Sequence, residues 1–167
     1  MGKITNQQVL AQLTSNFEGN FSNVSEPYGL LTFETSREDI MQILSYLKND
    51  KNLSFGYLTD ITGIHYPEQE NALGVIYHLH SLVNNVRVRV KVFIPVANPT
   101  IPTATTLWNG ANWMERETFD FFGILFEGHP NLVRILNVDD MEAFPMRKEF
   151  PLEDPNRVDK EDRFFGR

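Results

Sequence analysis

The sequence predicts one compact domain of mixed helices and strands, followed by an extended C-terminal arm. The chain has 167 residues, of which 41% are hydrophobic, and a chain of this length buries roughly two thirds of its unfolded surface. Its hydrophobic residues follow a helical repeat in some segments and alternate as in a strand in others. Beyond residue 130 both patterns fade and prolines recur. We therefore predict a domain over residues 1–130 and an arm over residues 131–167.

Three segments carry the helical repeat. Thr5 begins a capping-box pattern ahead of the first helix, whose apolar residues are Val9, Leu10, Leu13 and Phe17. Ser36 can cap the second helix, whose apolar stripe consists of Ile40, Ile43, Leu44 and Leu47. The third helix is predicted over about 104–122, and Gly123 is placed to end it.

Alternation of apolar and polar residues predicts the strands. Residues 28–35 and residues 53–64 each predict one strand. A hairpin follows, because residues 74–83 and 86–94 alternate on either side of Asn84-Asn85, a pair that tolerates the positive φ of a tight turn.

The second strand of this hairpin is amphipathic. Its valines and Ile94 point to one face, whereas Arg87, Arg89 and Lys91 point to the other. The pattern predicts a half-buried strand with a basic outer face.

Composition excludes several classes of function. The chain contains no cysteine, which excludes disulfides, thiolate nucleophiles, zinc–cysteine sites and cysteine-ligated iron–sulfur clusters. It has 15 Lys and Arg against 22 Asp and Glu, a net charge of −7, so nucleic-acid binding is disfavoured. No segment approaches the ~20 apolar residues of a transmembrane helix, and residues 1–20 lack the pattern of a secretory signal. We therefore expect a soluble cytoplasmic protein without direct membrane insertion.

Two histidines are candidates for metal binding. His78 and His80 lie two apart on one predicted strand, so their rings share a face and could supply two ligands of a catalytic metal. The alternative is a pair of sheet-face histidines that bond to polar neighbours. Phosphate-binding glycine loops, dinucleotide fingerprints and nucleophile elbows are absent from the sequence.

Three carboxylates of the third helix are candidates for acid–base chemistry. Glu117 and Asp120 are neighbours on one helix face, and Glu115 lies nearby in sequence. Because Arg116 and Arg134 are available to neutralise them, structural ion pairs are the favoured interpretation.

The densest pattern begins inside the third predicted helix and runs Asn112-Trp113-Met114-Glu115-Arg116-Glu117-Thr118-Phe119-Asp120-Phe121-Phe122-Gly123-Ile124. It continues through Phe126, Gly128-His129-Pro130-Asn131-Leu132 and Arg134-Ile135-Leu136, and resumes at Pro145-Met146-Arg147-Lys148-Glu149-Phe150-Pro151. An upstream part is Leu58-Thr59-Asp60-Ile61-Thr62-Gly63. This signature resembles that of the C-subunit family of respiratory complex I, also called the thirty-kilodalton subunit of NADH:quinone oxidoreductase.

The resemblance implies a fold and a place in an assembly. The implied fold is two-layer α+β, with helices packed on a mixed β-sheet and an extended C-terminal arm. The implied place is the peripheral arm of complex I, on the cytoplasmic side of the bacterial inner membrane, in a hetero-oligomer with the D, B and I subunits of that complex. Family members bind no redox cofactor themselves, whereas the parent complex uses iron–sulfur clusters, FMN, NADH and a quinone. We therefore expect a non-catalytic structural subunit with no catalytic, cofactor or metal site.

The resemblance also marks candidate interface residues, which are Trp113, Glu115, Arg116, Glu117, Phe119, Asp120, Phe122, His129, Arg134, Arg147 and Lys148. Trp113, Phe119 and Phe122 are expected to be buried anchors at or below an interface. The basic residues are expected to make charge-assisted contacts, and the carboxylates to order the arginine side chains. His129, which precedes a proline, is expected to fix a turn.

The chain departs from the family pattern at two places, and two alternatives stay open. Residues 139–144, here called the divergent turn, stand where the family usually carries a Trp-x-Gly element, and Val133 stands where a second arginine is common. The same type of subunit also serves related membrane-bound hydrogenases and ferredoxin-fed complexes. The remaining alternative is an independent metalloenzyme that uses His78 and His80.

Overall fold

The computed structural model of the chain describes residues 4–70 and 72–150, so the rest of the predicted arm, residues 151–167, lies outside the described residues. Three α-helices and seven strands occur within these ranges. In chain order they are α1 (Asn6–Phe17), β1 (Phe21–Ser25), β2 (Leu31–Thr35), α2 (Ile40–Asn49), β3 (Tyr57–His65), β4 (Leu73–Ser81), β5 (Val86–Ile94), β6 (Thr100–Pro102), α3 (Ala111–Phe122) and β7 (Leu125–Glu127).

Five strands form one mixed sheet in the order β1-β2-β5-β4-β3. Strands β2 and β5 are parallel, and the other neighbouring pairs are antiparallel. Strands β6 and β7 form a separate parallel pair. The predicted hairpin is therefore the pair β4 and β5 at the middle of the sheet.

The three helices pack on one face of this sheet and close the core. Alternate residues of the strands are buried beneath them: Leu31, Phe33, Val75, Tyr77, Leu79, Val88, Val90 and Val92. The helices contribute Val9, Leu13, Ile40, Ile43, Leu44, Leu47, Ala111 and Phe122. Burial of this apolar cluster is the main stabilising contribution to the fold. The predicted α+β class, with helices packed on a mixed sheet, is confirmed.

The first two helices form where the sequence predicts them. The Thr5 hydroxyl accepts from the Gln8 amide, and the Gln8 side chain accepts from the Thr5 amide, so the capping box of α1 is complete. Ser36 accepts from the amide of Asp39 at 3.1 Å. It therefore closes the turn before α2 rather than capping the helix itself, which begins at Ile40.

The third helix begins later than predicted, at Ala111. The residues before it form a separate helical turn, in which the Trp108 amide donates to the Ala104 carbonyl. Asn109 and Gly110 separate this turn from α3 because both residues have low helix propensity. The predicted terminator Gly123 ends α3 in the left-handed conformation, with φ 70°.

Strand boundaries differ from the prediction for local reasons. The strand predicted over 28–35 begins at Leu31, because Tyr28 and the glycine after it have positive φ. The strand predicted over 53–64 begins at Tyr57, after Ser54 with φ 51°. Strands β1, β6 and β7 are not predicted, since such short elements give too few residues for an alternating pattern.

The hairpin turn is longer than the predicted two-residue turn. Ser81 pairs with Val86, so the residues between them form a four-residue loop. Asn85 has the expected positive φ, 54°. The Asn84 side chain instead donates to two carbonyls of the loop that precedes β3, which fixes the hairpin end against that loop.

Candidate functional site

Helix α3, which carries the signature residues, lies along the edge strand β3. The Thr118 hydroxyl donates to the Ile61 carbonyl at 3.5 Å, and the Phe122 ring packs over Gly63. A Cβ atom on Gly63 would overlap this ring, so the close approach of helix and strand requires glycine.

The last turn of α3 ends in carbonyl groups that the helix cannot pair. The loop that follows, residues 131–150, supplies donors to them. The pairs are Arg134 Nη1 to Asp120 O at 2.9 Å, Met146 N to Phe121 O at 3.2 Å and Arg147 Nε to Phe122 O at 2.7 Å. Two of the three donors are cations, which the negative end of the helix dipole also favours.

Asp120 is fully buried beneath this loop. Its Oδ2 accepts from the consecutive backbone amides of Ile135, Leu136 and Asn137 at 3.0, 2.8 and 2.9 Å. Its Oδ1 accepts from the Asn137 side chain at 3.0 Å and from Arg134 at 2.7 Å. Burial opposes ionisation, but the hydrogen bonds, those of Asn137 foremost, hold the pKa of Asp120 below its ordinary value. The expected ion pair with Arg134 is formed, and the carboxylate organises the loop.

The Phe144 ring holds the divergent turn in place. The guanidinium groups of Arg134 and Arg147 lie 5.2 and 4.8 Å from the ring centroid, and cations bind favourably over aromatic faces. Phe119 meets the same ring edge to face at a centroid distance of 6.2 Å. Because Arg134 also donates to two carbonyls of the turn, both arginines are fixed within the chain.

The first half of α3 is joined to the loop by Arg116 and His129. The Arg116 guanidinium donates to the two carbonyls of residues 133–134 at 3.1 and 3.0 Å. His129 Nδ1 accepts from the Asn131 amide at 3.0 Å, so the proton is assigned to Nε2, which donates to the Asn112 carbonyl at 3.1 Å. His129 thus fixes a turn, as predicted.

Glu115 is fully buried on the inner side of α3. Its two oxygens accept from the Thr103 hydroxyl and from the Ala104 amide, each at 2.6 Å. Burial raises the pKa of Glu115 to about 7, although both hydrogen bonds act in the opposite direction. Burial, and then the charge of Glu115, raise the pKa of Tyr77. Rather than ordering an arginine, as expected, Glu115 fixes the segment before α3.

The predicted interface residues divide into an exposed group and an internal group. Trp113, 61% exposed, faces solvent together with Glu117 and Lys148. The internal group consists of Glu115, Arg116, Phe119, Asp120, Phe122, His129, Arg134 and Arg147. The charge-assisted contacts expected of the arginines are made with carbonyls of their own chain, because the end of α3 and the loop leave those carbonyls unpaired.

Three residues of this arrangement were not among the predicted site residues. Thr103 and Asn137 bond to the buried carboxylates, and their partners lie too far along the chain for a local pattern. Phe144 could have been predicted, because it lies three residues before Arg147 and an aromatic ring near an arginine is a candidate for cation–π stacking. The end of α3 offered a second indication. The last carbonyl groups of a helix need hydrogen-bond donors from elsewhere, so donors from the following segment could have been expected there.

Comparison with known proteins assigns this arrangement to a family. Residues 33–156 match the family described as the 30 Kd subunit of respiratory-chain NADH dehydrogenase. The chain belongs to this family. It is 41% identical over 152 residues to the C subunit of NADH-quinone oxidoreductase from Citrifermentans bemidjiense, with 91% of this chain and 93% of the relative covered. The corresponding protein of Geobacter metallireducens is 40% identical, with 92% and 93% covered.

Two solved structures resemble the 30 Kd-subunit fold of this chain. A trypsin-resistant fragment of Nqo5 is 32% identical and superposes with a TM-score of 0.66, covering 75% of this chain and 98% of the fragment. A chain of the membrane-bound sulfane sulfur reductase, an archaeal respiratory membrane complex, is 25% identical with a TM-score of 0.75, covering 87% and 85%. Both agree with the two-layer α+β fold.

The two histidines of β4 lie on the sheet face opposite the helices of this 30 Kd-family chain. His78 Nε2 accepts from Arg89 Nε at 2.9 Å, and Asp60 lies 3.5 Å from the other ring nitrogen. Burial, and then the charge of Arg89, lower the pKa of His78. Because Arg89 occupies the Nε2 lone pair, that atom is not free to bind a metal. Residues 4–70 and 72–150 contain no group of three or more His, Asp or Glu side chains suited to a metal ion.

Proposed function

We propose that this chain is a non-catalytic structural subunit of a respiratory NADH:quinone oxidoreductase. It scaffolds the subunits that carry the iron–sulfur clusters and the quinone site. The proposal is supported by family membership and by relatives named as the C subunit of NADH-quinone oxidoreductase that match over nine tenths of both chains. In this function the chain binds no redox cofactor, while the parent complex uses FMN, iron–sulfur clusters, NADH and a quinone.

The observation that carries the proposal is the way in which α3 and its loop use their charged groups. The internal cations and the buried Asp120 all serve to hold residues 131–150 against the helix. The large apolar side chains left outside on these elements are Trp113, Val133, Leu136, Val138, Met146 and Phe150. A rigid backbone that presents apolar side chains is typical of a protein–protein interface.

The proposed partners are the D, B and I subunits of complex I, with the chain on the cytoplasmic side of the bacterial inner membrane. Attachment to the membrane then comes through these partners. None of the helices in the described ranges has the length and apolarity needed to cross a bilayer.

The same type of subunit in a related complex with another electron donor is the second candidate. The observation that favours it is the structural similarity to a chain of the archaeal membrane-bound sulfane sulfur reductase. The proteins that copurify in the native complex separate the two candidates. An NADH-binding subunit among them supports the first, and a hydrogenase or ferredoxin-fed input module supports the second.

Replacing Trp113 by Ala tests the proposal and its interface. Trp113 is largely exposed, so the melting temperature of the free chain is expected to stay within about 2 °C of the wild type. Retention of the chain in the affinity-purified native complex is expected to fall about tenfold, as for an aromatic anchor of an interface.

The control is Val96→Ala, which shortens an exposed apolar side chain in the turn after β5 and should leave retention unchanged. Absence of the wild-type chain from the purified complex would overturn the proposed function. Full retention of the Trp113→Ala variant would leave the proposed function standing and remove Trp113 from the interface.

A further inference from the structure

The outer face of α1 carries no charge. The helix sequence is NQQVLAQLTSNF, in a chain of which 22% is charged. Its exposed residues are Gln7, Gln8, Ala11, Thr14, Ser15 and Asn16. Helix faces that point to solvent usually carry charged residues, whereas the centres of protein–protein interfaces are depleted in charge.

Two loops adjoin this helix at one end of the sheet. Strand β2 starts where β5 starts and β4 ends, so the turn before β2 and the β4–β5 loop lie at the same sheet end. The Asn6 side chain of α1 donates to the Gly29 carbonyl of that turn at 3.0 Å. On the other side, a mostly polar groove beside α1 is lined by Ala11 and its helix neighbours, by Lys51 and by Val83 of the β4–β5 loop. The helix and both loops therefore form one surface.

The turn before β2 holds an aromatic side chain in solvent. Tyr28 is fully exposed and has φ 56°, a left-handed conformation that is unfavourable for a residue other than glycine. The turn is fixed from α1, because Asn6 contacts both the Gly29 carbonyl and the Glu26 carboxylate. Strain of this kind persists when the surroundings impose it, and it concentrates at functional sites.

The β4–β5 loop presents two aliphatic side chains. Leu82 and Val83 are 67% and 66% exposed, while the side chain of the next residue, Asn84, anchors the loop through three hydrogen bonds. Exposed cations stand at the edge of this region: Lys51 in the loop after α2, and Arg87 at the start of β5. The region thus combines an uncharged centre with a charged rim, which is basic at Lys51 and Arg87 and acidic at the exposed Glu26 in the turn before β2.

We propose that these residues form a second docking surface, distinct from α3, for another protein subunit of the same assembly. This α1 surface comprises the outer face of α1, Tyr28, Leu82 and Val83. The partner presents an uncharged surface with a recess for the Tyr28 ring and carboxylates opposite Lys51 and Arg87. The inference rests on the proposed function, since it places the partner in the same respiratory complex.

A protein fits the α1 surface better than a lipid bilayer does. The net charge of −7 opposes approach to an anionic membrane, and α1 itself has no cation to offset that repulsion. Because Tyr28 is already held in one backbone conformation, it loses less conformational entropy on binding to a partner of defined shape. A fluid bilayer has no defined shape, so this saving does not favour binding to it.

Replacing Tyr28 by Gly separates docking from folding. Glycine adopts positive φ freely, so the free variant chain is expected to melt at or above the temperature of the wild type. Its retention in the purified native complex is expected to drop about tenfold, because the aromatic anchor is gone. The Ala11→Glu variant, which puts a charge at the centre of the surface, is expected to behave likewise.

Two controls change comparable positions outside the α1 surface. Asn23→Gly replaces another residue with positive φ, and Gln42→Glu adds a charge at an exposed position of α2. Both should be retained as the wild type is. A photo-crosslinking residue at position 28 should become joined to another subunit of the complex.

The possible failures are distinguishable. A wild-type chain missing from the complex refutes the proposed function together with this inference. A wild-type chain that is present, with Tyr28→Gly and Ala11→Glu retained fully, refutes the α1 surface alone. Crosslinks from position 28 to lipid, or to a second copy of this chain, overturn the assignment of the partner.

Discussion

Two fully buried carboxylates on α3 have pKa values shifted in opposite directions. Glu115 accepts two hydrogen bonds from uncharged groups, and burial therefore dominates and raises its pKa to about 7. Asp120 accepts bonds from three backbone amides, one side-chain amide and the Arg134 guanidinium, which together outweigh its burial. The number and charge of the donors decide the sign of the shift.

Glu115→Gln is expected to remove a pH dependence of stability. The pKa of Glu115 is raised in the folded state from 4.5 to about 7, so the folded chain binds the proton more tightly than the unfolded chain does. Its free energy of unfolding therefore falls as pH rises from 4.5 to 7, by about 3 kcal/mol in total. Glutamine can accept from the Ala104 amide and donate to Thr103, so the variant should be the more stable protein at pH 8.

Urea unfolding at pH 5 and pH 8 measures this difference. Glu117→Gln is the matched control, because Glu117 is exposed on the same helix and should leave the pH dependence unchanged. Equal pH dependence in the wild type and in Glu115→Gln would contradict the raised pKa of Glu115.

At the scale of elements, the contact of α3 with β3 depends on Gly63. Gly63→Ala is expected to reduce the free energy of unfolding by about 1–3 kcal/mol, because the added methyl group overlaps the Phe122 ring and must displace a packed side chain. Thermal unfolding followed by circular dichroism measures the loss.

Gly56→Ala is the control for this substitution. A Cβ at Gly56 meets no atom within 4 Å, and its unfolding free energy should change little. If both variants were equally stable, the helix and strand would be less tightly packed than the overlap indicates.

The sequence predicted elements well where their signals are local. The alternation of residues 86–94 predicted β5 at its observed bounds, and the capping box at Thr5 predicted the start of α1. The loop of residues 131–150 was predicted as an extended arm because it has no periodicity. Its order comes from Arg134, Arg147 and Asp120, whose partners are mostly backbone groups distant in the chain. Residue types alone do not encode such partners.

At the scale of the whole molecule, the boundary predicted at residue 130 can be tested by truncation. A chain ending at residue 130 leaves the buried Asp120 without its donors. Because Asp120 is buried beneath the loop of residues 131–150, truncation also opens its carboxylate to water. The fragment loses hydrogen bonds to a charged group, each of which contributes about 1.5–3 kcal/mol, so it is expected to be less stable than the full chain at pH 7. Chemical unfolding of the two proteins measures the difference.

A second substitution makes this prediction specific. Asp120→Asn should destabilise the full chain, where the carboxylate accepts from the loop, but should change the stability of the fragment ending at residue 130 little, because position 120 is then open to water. A chain ending at residue 150 retains the donors. It should resemble the full chain both in its stability and in its response to Asp120→Asn. An equally large loss of stability on Asp120→Asn in both backgrounds would show that the loop is not the partner of Asp120.

The parallel pairing of β2 with β5 also determines the order in which the strand pairs of the sheet can form during synthesis. Leu31 lies opposite Val88, so the first strands made on the ribosome have no central partner until the chain has been synthesised past β5. The β4–β5 hairpin joins neighbours in sequence and can form as soon as it emerges, whereas closure of the long segment between β2 and β5 comes later and is slower. The apolar residues of the N-terminal third therefore stay exposed to solvent until β5 has been synthesised. During synthesis this part of the chain is the most prone to aggregation.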